Sequence, residues 1–243
     1  MTLPELRPSP WPGCLIVFEG TARAGKTTAI EALQAALRDR GLDPVISGWN
    51  SVPAINALIL ERKREMSYTP LTWSLLHLTD FALRYEETIV PTLKRGGVVI
   101  ADRYVFTALT RDVPRGLSED YVGACYGFAV MPNLVFYLHV PPKVALERHR
   151  QTTGTLYPHS SGLDIWPGLP LEEGYLRYQA ELHRLYLAMA PVYGLHLLDG
   201  TSPPETILER ILGLVLAGLE PAARAGEAGR LGAPSAEGRR LGK

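Results

Sequence analysis

The sequence predicts an α/β fold in which helices cover both faces of a parallel β-sheet. Short apolar runs typical of buried strands alternate with longer segments of helical periodicity, and this alternation indicates βαβ units. The predicted strands cover residues 14–18, 44–47, 98–101, 134–140 and 195–198. The predicted helices cover residues 26–40, 70–95, 118–127, 143–150, 171–189 and 204–216.

Length and composition fit one folded domain. The chain has 243 residues, 46% of them hydrophobic, and its 25 basic and 25 acidic side chains give a formal net charge of zero. This balance argues against long nucleic acid as a partner, because its phosphates require a basic surface. Cys14 and Cys125 lack CxxC spacing, so we expect neither a disulfide framework nor a zinc site. No apolar run reaches the length of a signal sequence or a membrane span, so we predict a cytoplasmic protein with no membrane partner.

Both ends of the chain are expected to lie outside that domain. Four prolines between Pro4 and Pro12 predict an extended arm over residues 1–13. From residue 218 the sequence is mostly Ala, Gly, Arg and Glu without hydrophobic periodicity, which predicts a disordered tail to residue 243. The folded domain is therefore expected over residues 14–217, with a Gly- and Pro-rich lid over residues 151–170.

The most specific motif follows the first predicted strand. Residues Gly20 to Thr27 read GTARAGKT, which matches the phosphate-binding loop GxxxxGK[ST] between a strand and a helix. The glycines let backbone N–H groups surround a polyphosphate at the N-terminus of the next helix. Lys26 is expected to reach the β and γ phosphates of a nucleotide, and the hydroxyl of Thr27 is expected to bind Mg²⁺.

Arg23 within this loop allows two interpretations. Its side chain either stabilises the γ phosphate during transfer or lies in solvent as a surface charge. The predicted lid contains neither Lys nor Arg, so another segment must supply the cation that stabilises a transferred phosphoryl group. This reasoning favours a catalytic Arg23.

A second candidate site lies at the end of the strand predicted over residues 98–101. Asp102 follows this apolar run, at the position where a phosphate-binding fold holds Mg²⁺ or its water ligands. Arg103 and Tyr104 come next, and the carboxyl ends of parallel strands border the crevice where ligands bind. The alternative is that Asp102 and Arg103 only cap the strand.

The helix predicted over residues 70–95 has two distinct faces. It begins with Thr69 as N-cap and Pro70 at its first position. Its predicted buried stripe comprises Leu71, Leu75, Leu78, Ala82, Ile89 and Leu93. The opposite face carries Trp73, His77, Phe81 and Arg84. That second face either forms a wall for a stacked nucleobase or packs against a neighbouring helix or a dimer partner.

Taken together, these residues resemble the thymidylate kinase family, a group of P-loop nucleoside monophosphate kinases. The similarity extends over about residues 14–216. Besides the phosphate-binding loop, it rests on residues 17–20, Leu75 and Leu76, residues 98–107, residues 132–138 and residues 144–148. The resemblance implies a three-layer P-loop NTPase sandwich with a five-stranded parallel sheet flanked by helices, usually in a homodimer. It also implies transfer of the γ phosphate of ATP, with Mg²⁺, to a nucleoside monophosphate, which in this family is dTMP.

The resemblance assigns roles to individual positions. Arg103 would bind the acceptor phosphate, Asp102 would lie near Mg²⁺, and His77 would replace the aromatic residue that stacks on thymine. The predicted catalytic residues are Arg23, Lys26, Asp102 and Arg103, and the predicted metal ligands are Thr27 and Asp102. The predicted ATP-binding residues are Gly20, Thr21, Ala22, Arg23, Ala24, Gly25, Lys26, Thr27, Thr28 and Arg148. The predicted acceptor-binding residues are Trp49, Asn50, His77, Phe81, Arg103, Tyr104 and Thr107.

Three departures from the family pattern all concern the acceptor. Ala22 stands where the family usually has a carboxylate near the acceptor sugar, and Phe81 stands where an arginine usually reads thymine. Gly48-Trp49-Asn50 replaces a segment that usually contains arginine. Loss of a bidentate base contact can shift acceptor preference by a few kcal/mol. The alternatives are therefore a kinase of another nucleotide, nucleoside or small hydroxyl compound, and a nucleotide-binding protein without catalysis.

Overall fold

The computed structural model describes residues 5–65, 68–152 and 156–231. The strands are β1 (Arg7–Pro8), β2 (Cys14–Gly20), β3 (Val45–Gly48), β4 (Val98–Asp102), β5 (Val130–Met131), β6 (Leu134–His139) and β7 (His196–Asp199). The α-helices are α1 (Lys26–Arg38), α2 (Pro53–Glu65), α3 (Pro70–Arg84), α4 (Val90–Lys94), α5 (Val105–Asp112), α6 (Glu119–Tyr126), α7 (Pro142–Thr152), α8 (Leu171–Tyr193) and α9 (Pro204–Leu231).

A five-stranded parallel sheet organises the molecule, which confirms the predicted fold class. Its strand order is β3-β4-β2-β6-β7, with β2 at the centre. Every residue of β2 is buried, as expected for a strand covered by helices on both faces. Phe18 pairs with Asp102 of β4 and with Phe136 of β6, so the carboxyl ends of the three strands lie side by side.

Each face of the sheet buries its own apolar cluster. Leu15 and Val17 of β2 belong to one cluster, together with residues of α3, α5, α6 and α8. Ile16 and Phe18 belong to the other, together with residues of α1, α7 and α9. This division follows from the alternation of side chains along a strand.

The five predicted strands are all present, with ends that differ by one or two residues, whereas α2 and α5 were not predicted. Seven of the eight residues of α5 are buried, from Val105 to Asp112, and eight residues are too few for a periodic pattern to indicate a helix. The helix predicted over residues 70–95 is built from α3, a π-helical turn at Tyr85–Ile89 and α4.

The predicted buried stripe was correct in part: Ile89 and Leu93, which follow α3, are fully buried, but the stripe is not the buried face of α3 itself. Leu71 and Leu75 are 47% and 46% exposed, whereas Trp73, His77 and Phe81 on the opposite face are buried. That face also carries Asp80 and Arg84, whose side chains form a buried ion pair of 2.8 Å between Asp80 Oδ2 and Arg84 Nε. Because the pair neutralises both charges, the polar residues can be buried with the aromatic ones.

Secondary structure extends into both ends of the chain. Leu6 is buried, and β1 pairs in parallel with β5, so the arm packs on the domain. Helix α9 continues to Leu231, into the segment from residue 218 for which disorder was predicted, and the disorder of that segment stays a prediction. Residues 1–4, 153–155 and 232–243 of the predicted arm, lid and tail lie outside the described residues. None of the described helices has both the length and the hydropathy needed to cross a bilayer.

Candidate active site

The loop between β2 and α1 forms a cradle for an anion. Lys26 is the first residue of α1, and no described side chain caps its N-terminus, where Gly25 has a φ of 93°. Backbone N–H groups of the first turn therefore remain available to a phosphate. A Cβ on Gly20 would lie 2.4 Å from the carbonyl oxygen of Leu138, so only glycine fits where this loop crosses β6.

A cavity of about 530 Å³ lies over this cradle, and we call it the phosphate cavity. It is lined by Ala22, Arg23, Ala24, Gly25, Lys26, Thr27, Thr28, Arg103, Arg148, Gln151 and Thr152. An adjoining cavity of about 400 Å³ shares Arg148 with it and includes Pro203, Pro204 and Ile207 in its wall. The Arg148 guanidinium donates to the carbonyl oxygens of Arg23 at 3.1 Å and Gly200 at 3.0 Å. A charged cavity next to a more apolar one suits the phosphates and the base of a nucleotide.

A third cavity, of about 350 Å³, lies beside the phosphate cavity, and we call it the arginine cavity. It is lined by Ala22, Leu60, Arg103, Arg111, Tyr157, His159, Ser160, Tyr178, Gln179 and Leu182. Ala22 and Arg103 line both cavities, so they mark the junction between them. Two ligands that occupy the phosphate cavity and the arginine cavity would therefore meet at Arg103.

Glu19 anchors the Arg103 side chain. Its carboxylate is fully buried and lies 3.7 Å from the Arg103 guanidinium. It also accepts hydrogen bonds from the backbone N–H groups of Tyr104 and Thr107 and from the hydroxyls of Thr107 and Tyr186. The Thr107 hydroxyl contacts Arg103 as well, at 3.2 Å from Nη1. Arg103 has a φ of 75°, a left-handed conformation that the surrounding hydrogen bonds must hold in place.

Lys26 and Asp102 have charged side-chain groups that a bound nucleotide or cation would stabilise. Burial, followed by repulsion from Arg103, lowers the pKa of the Lys26 amine to about 7. Asp102 Oδ1 is buried and has no hydrogen-bond partner among the described residues. A bound phosphate would favour the protonated amine, and a hydrated cation would satisfy the carboxylate oxygen.

The residues predicted to bind the acceptor base pack against one another. Trp49 and His77 are in ring contact at 5.8 Å, which leaves no space for a base between them. Asn50 Oδ1 lies 2.8 Å from His77 Nδ1. Phe81 and Tyr104 are 0% exposed and pack edge to face at 5.1 Å, so in this structure their rings contact each other, and their contact with the acceptor stays a prediction.

Thr107 is also fully buried, and its hydroxyl bonds to Glu19 rather than opening into a cavity. It therefore contacts Arg103 and Glu19 in this structure, and its contact with the acceptor stays a prediction. Trp49, Asn50 and His77 are not among the residues that line the phosphate or arginine cavities. Their role as a wall for the base stays a prediction.

Several residues at the two cavities were missed by sequence reasoning. Arg111 lies one helical turn after Thr107, a spacing that could have been noticed. Glu19 belongs to the motif before the loop but was given no role of its own. Gln179 and Tyr178 come from α8, and the Gln179 side chain accepts a hydrogen bond of 2.9 Å from the Ala22 backbone N–H. No pattern in the sequence links α8 to the loop.

The described part of the predicted lid borders both cavities. Gln151 and Thr152 line the phosphate cavity, whereas Tyr157, His159 and Ser160 line the arginine cavity. Arg115 holds this segment through an ion pair with Asp164 and a hydrogen bond of 3.0 Å to the His159 carbonyl oxygen. The described residues of the predicted lid therefore border the arginine cavity as well as the phosphate cavity.

Comparison with known proteins agrees with this geometry. The model of the thymidylate kinase family matches residues 18–157, which is more than half of the chain. A probable thymidylate kinase 2 of Saccharolobus solfataricus is 40% identical over 205 residues, which are 83% of this chain and 96% of that protein. A thymidylate kinase of Geobacillus thermodenitrificans is 38% identical over 57% of this chain and 65% of its own length. A thymidylate kinase of Xylella fastidiosa is 29% identical over 84% of this chain and 87% of its own length. The chain belongs to the thymidylate kinase family.

Proposed function

We propose that this protein is an ATP-dependent nucleoside monophosphate kinase that phosphorylates dTMP to dTDP. The observation that carries the proposal is the position of Arg103, which lines both the phosphate cavity and the arginine cavity. A donor held by the phosphate-binding loop and an acceptor held in the arginine cavity would have their phosphates next to each other. Such proximity is the main requirement of phosphoryl transfer.

Transfer in this arrangement is direct. An oxygen of the acceptor phosphate forms a bond to the γ phosphorus of ATP, and the bond from that phosphorus to the β–γ bridging oxygen breaks. ADP leaves with the electron pair, and the acceptor becomes a diphosphate. Lys26, Arg23 and Arg103 are the cations of the phosphate cavity that would stabilise the charge on the transferred group. The loop is the proposed source of this charge because the lid segment 151–170 contains no Lys or Arg.

The residues present fit a bound Mg²⁺. Asp102 Oδ1 is a buried oxygen without a hydrogen-bond partner among the described residues, and the exposed Thr27 side chain lines the phosphate cavity. We propose that Thr27 and Asp102 hold the ion or its water ligands. When bound, Mg²⁺ would neutralise charge on the β and γ phosphates.

The remaining ATP contacts follow from the same cavities. Arg148 lines both the phosphate cavity and the adjoining one, which supports a role at the phosphate or ribose of ATP. The loop residues from Ala22 to Thr28 all line the phosphate cavity, which supports their assignment to ATP. Gly20 and Thr21 lie at the start of the loop, and Gly20 shapes its path beside β6.

A coupled assay of ADP formation with ATP, Mg²⁺ and a panel of nucleoside monophosphates tests this function. We expect turnover with dTMP, and the panel measures how far the acceptor departures Ala22 and Phe81 extend the range of bases and sugars. Lys26→Met should abolish turnover. Lys143→Met is the matched control, because it makes the same substitution at an exposed residue of α7 and should leave turnover unchanged. Absence of turnover with every monophosphate would refute the proposal.

We also propose a homodimer. Leu71 and Leu75 form an exposed apolar stripe on α3, which supports contact with a second copy of the chain. Sedimentation equilibrium should give twice the monomer mass, and Leu75→Glu should reduce it to that of the monomer. A wild-type monomer at micromolar concentration would contradict the dimer. The cytoplasmic location stays a prediction.

A further inference from the structure

We propose that Arg111 is a second ligand of the acceptor phosphate and that it binds this group together with Arg103 in the arginine cavity. The proposal rests on the proposed function for the identity of the acceptor. It adds a residue that the motifs of the sequence do not indicate. It also explains how a cavity without a carboxylate near Ala22 can select its substrate.

The two arginines are brought together by the segment that follows β4. Thr107 lies between them in sequence, and its hydroxyl contacts Arg103 Nη1 at 3.2 Å. Arg111 is one turn of α5 further on, so it projects from the same side of that helix as Thr107. Both guanidinium-bearing side chains line the arginine cavity.

One of the two arginines of the cavity has no acidic partner among the described residues. No Asp or Glu is among the described residues that line it. Arg103 has Glu19 as its partner, and the neighbouring Arg115 has Asp164. Arg111, in contrast, has no side-chain hydrogen bond or ion pair with any described residue.

An arginine without an acidic partner, half-buried in the wall of a cavity, is unfavourable in the empty site. Burial, followed by repulsion from Arg103, lowers the pKa of Arg111. A group of this kind costs folding free energy unless a ligand supplies the missing charge. A phosphate dianion between Arg103 and Arg111 would supply it, because guanidinium groups match phosphate oxygens with paired N–H donors.

The rest of the wall suits the other end of a nucleotide. Tyr157, Tyr178 and Leu182 provide aromatic and apolar surface, and His159 and Gln179 provide polar groups. The volume of about 350 Å³ lies within the usual range for small-molecule sites. The cavity therefore has a cationic end beside the phosphate cavity and a more apolar remainder that fits a sugar and a base.

Calorimetric titration of dTMP and of thymidine, without ATP, isolates the contribution of the acceptor phosphate. In Arg111→Met we expect the affinity for dTMP to fall by about tenfold to a hundredfold, since charge-assisted hydrogen bonds are lost, while the affinity for thymidine stays the same. Arg184→Met is the matched control, because it removes an exposed arginine of α8 that pairs with Glu181. An unchanged ratio of dTMP to thymidine affinity in Arg111→Met would overturn the proposal.

Kinetics distinguish a ligand of the acceptor from a structural residue. Arg111→Met should raise KM for dTMP and leave KM for ATP unchanged, whereas a structural defect would alter both. Arg111→Lys keeps the charge without the planar pair of donors, so we expect it to recover part of the lost dTMP affinity. No recovery in a folded Arg111→Lys protein, together with equal changes in both KM values, would count against a direct contact.

A further titration separates this proposal from the proposed function. With a non-hydrolysable ATP analogue bound at the loop, inorganic phosphate is used as the probe of the arginine cavity. We expect Arg111→Met to weaken phosphate binding at least tenfold and to leave binding of the analogue unchanged. Failure of every monophosphate to turn over would refute only the kinase, whereas equal phosphate affinities in wild type and Arg111→Met would refute only the role of Arg111.

Discussion

Replacement of Glu19 by Gln tests whether a buried carboxylate holds Arg103, the proposed ligand of the acceptor phosphate. Two backbone N–H groups, two hydroxyls and the Arg103 guanidinium all face this carboxylate, which has no solvent exposure. Breaking a buried ion pair by removing one charge costs about 3–5 kcal/mol. We expect Glu19→Gln to lower the free energy of unfolding by about that amount, which most domains of ordinary stability would survive.

Glu19→Gln should weaken binding of the acceptor more than binding of ATP. Without its anchor the Arg103 side chain is less fixed, so KM for dTMP should rise about tenfold or more while KM for ATP changes less. Urea unfolding and steady-state kinetics measure the two effects. Glu181→Gln is the matched control, because its ion pair with Arg184 is exposed and should contribute less than about 1 kcal/mol.

One outcome would refute the reasoning about Glu19. Burial raises the pKa of this carboxyl, while Arg103 and the hydrogen-bond donors oppose the rise. If Glu19→Gln lost less than about 1 kcal/mol, as expected for a neutral hydrogen-bonded group, the carboxyl would already be protonated in the folded protein. Arg103 would then need another explanation for its position.

Three further substitutions test other parts of the structure. Burial raises the pKa of Asp112 from 3.8 to about 6, so the folded state binds this proton more tightly and stability falls as pH rises from about 4 to 6. Asp112→Asn should therefore stabilise the protein by about 3 kcal/mol at pH 7 but not at pH 4. Equal midpoints of urea unfolding for wild type and variant at pH 7 would contradict this stabilisation. Asp164→Asn removes the partner of Arg115. Limited proteolysis within residues 156–170 should therefore accelerate, and KM for dTMP should rise. An unchanged cleavage rate would count against this ion pair as an anchor of the segment. Gly20→Ala places a Cβ 2.4 Å from a backbone oxygen and should abolish ATP binding in calorimetry. Gly213→Ala is the control, because open space surrounds this position and the substitution should stabilise α9 by about 1 kcal/mol.

The sheet could be predicted because its signals are local. Apolar runs without polar alternation indicate strands buried on both faces, and all five appear in the parallel sheet. The loop from Gly20 to Thr27 could be predicted for the same reason, since its chemistry lies within eight consecutive residues. Helix α5 was missed because its eight residues are fewer than a periodic pattern needs, and Val105, Thr107 and Thr110 are β-branched.

The acceptor side could not be predicted because it depends on contacts between distant segments. The two faces of α3 carry similar numbers of apolar residues, and the buried pair Asp80–Arg84 decides which face is inside. Sequence reasoning counted Arg84 with its face but did not pair it with Asp80. Tyr178 and Gln179 reach the cavity from α8, which is separated from the loop by more than 140 residues.

Ala22 and Arg111 both make the arginine cavity more positive. A carboxylate at position 22 would offset the charge of Arg103 and compete with the acceptor phosphate for it, whereas alanine leaves that charge to the ligand. Arg111 adds a second cation, and no described acidic side chain lines the cavity. On the proposed role of Arg111, more of the binding free energy of the acceptor comes from its phosphate than from its sugar. In this proposal, the site discriminates strongly between a nucleotide and a nucleoside, because loss of the phosphate leaves Arg111 without an acidic partner, and it discriminates less between sugars.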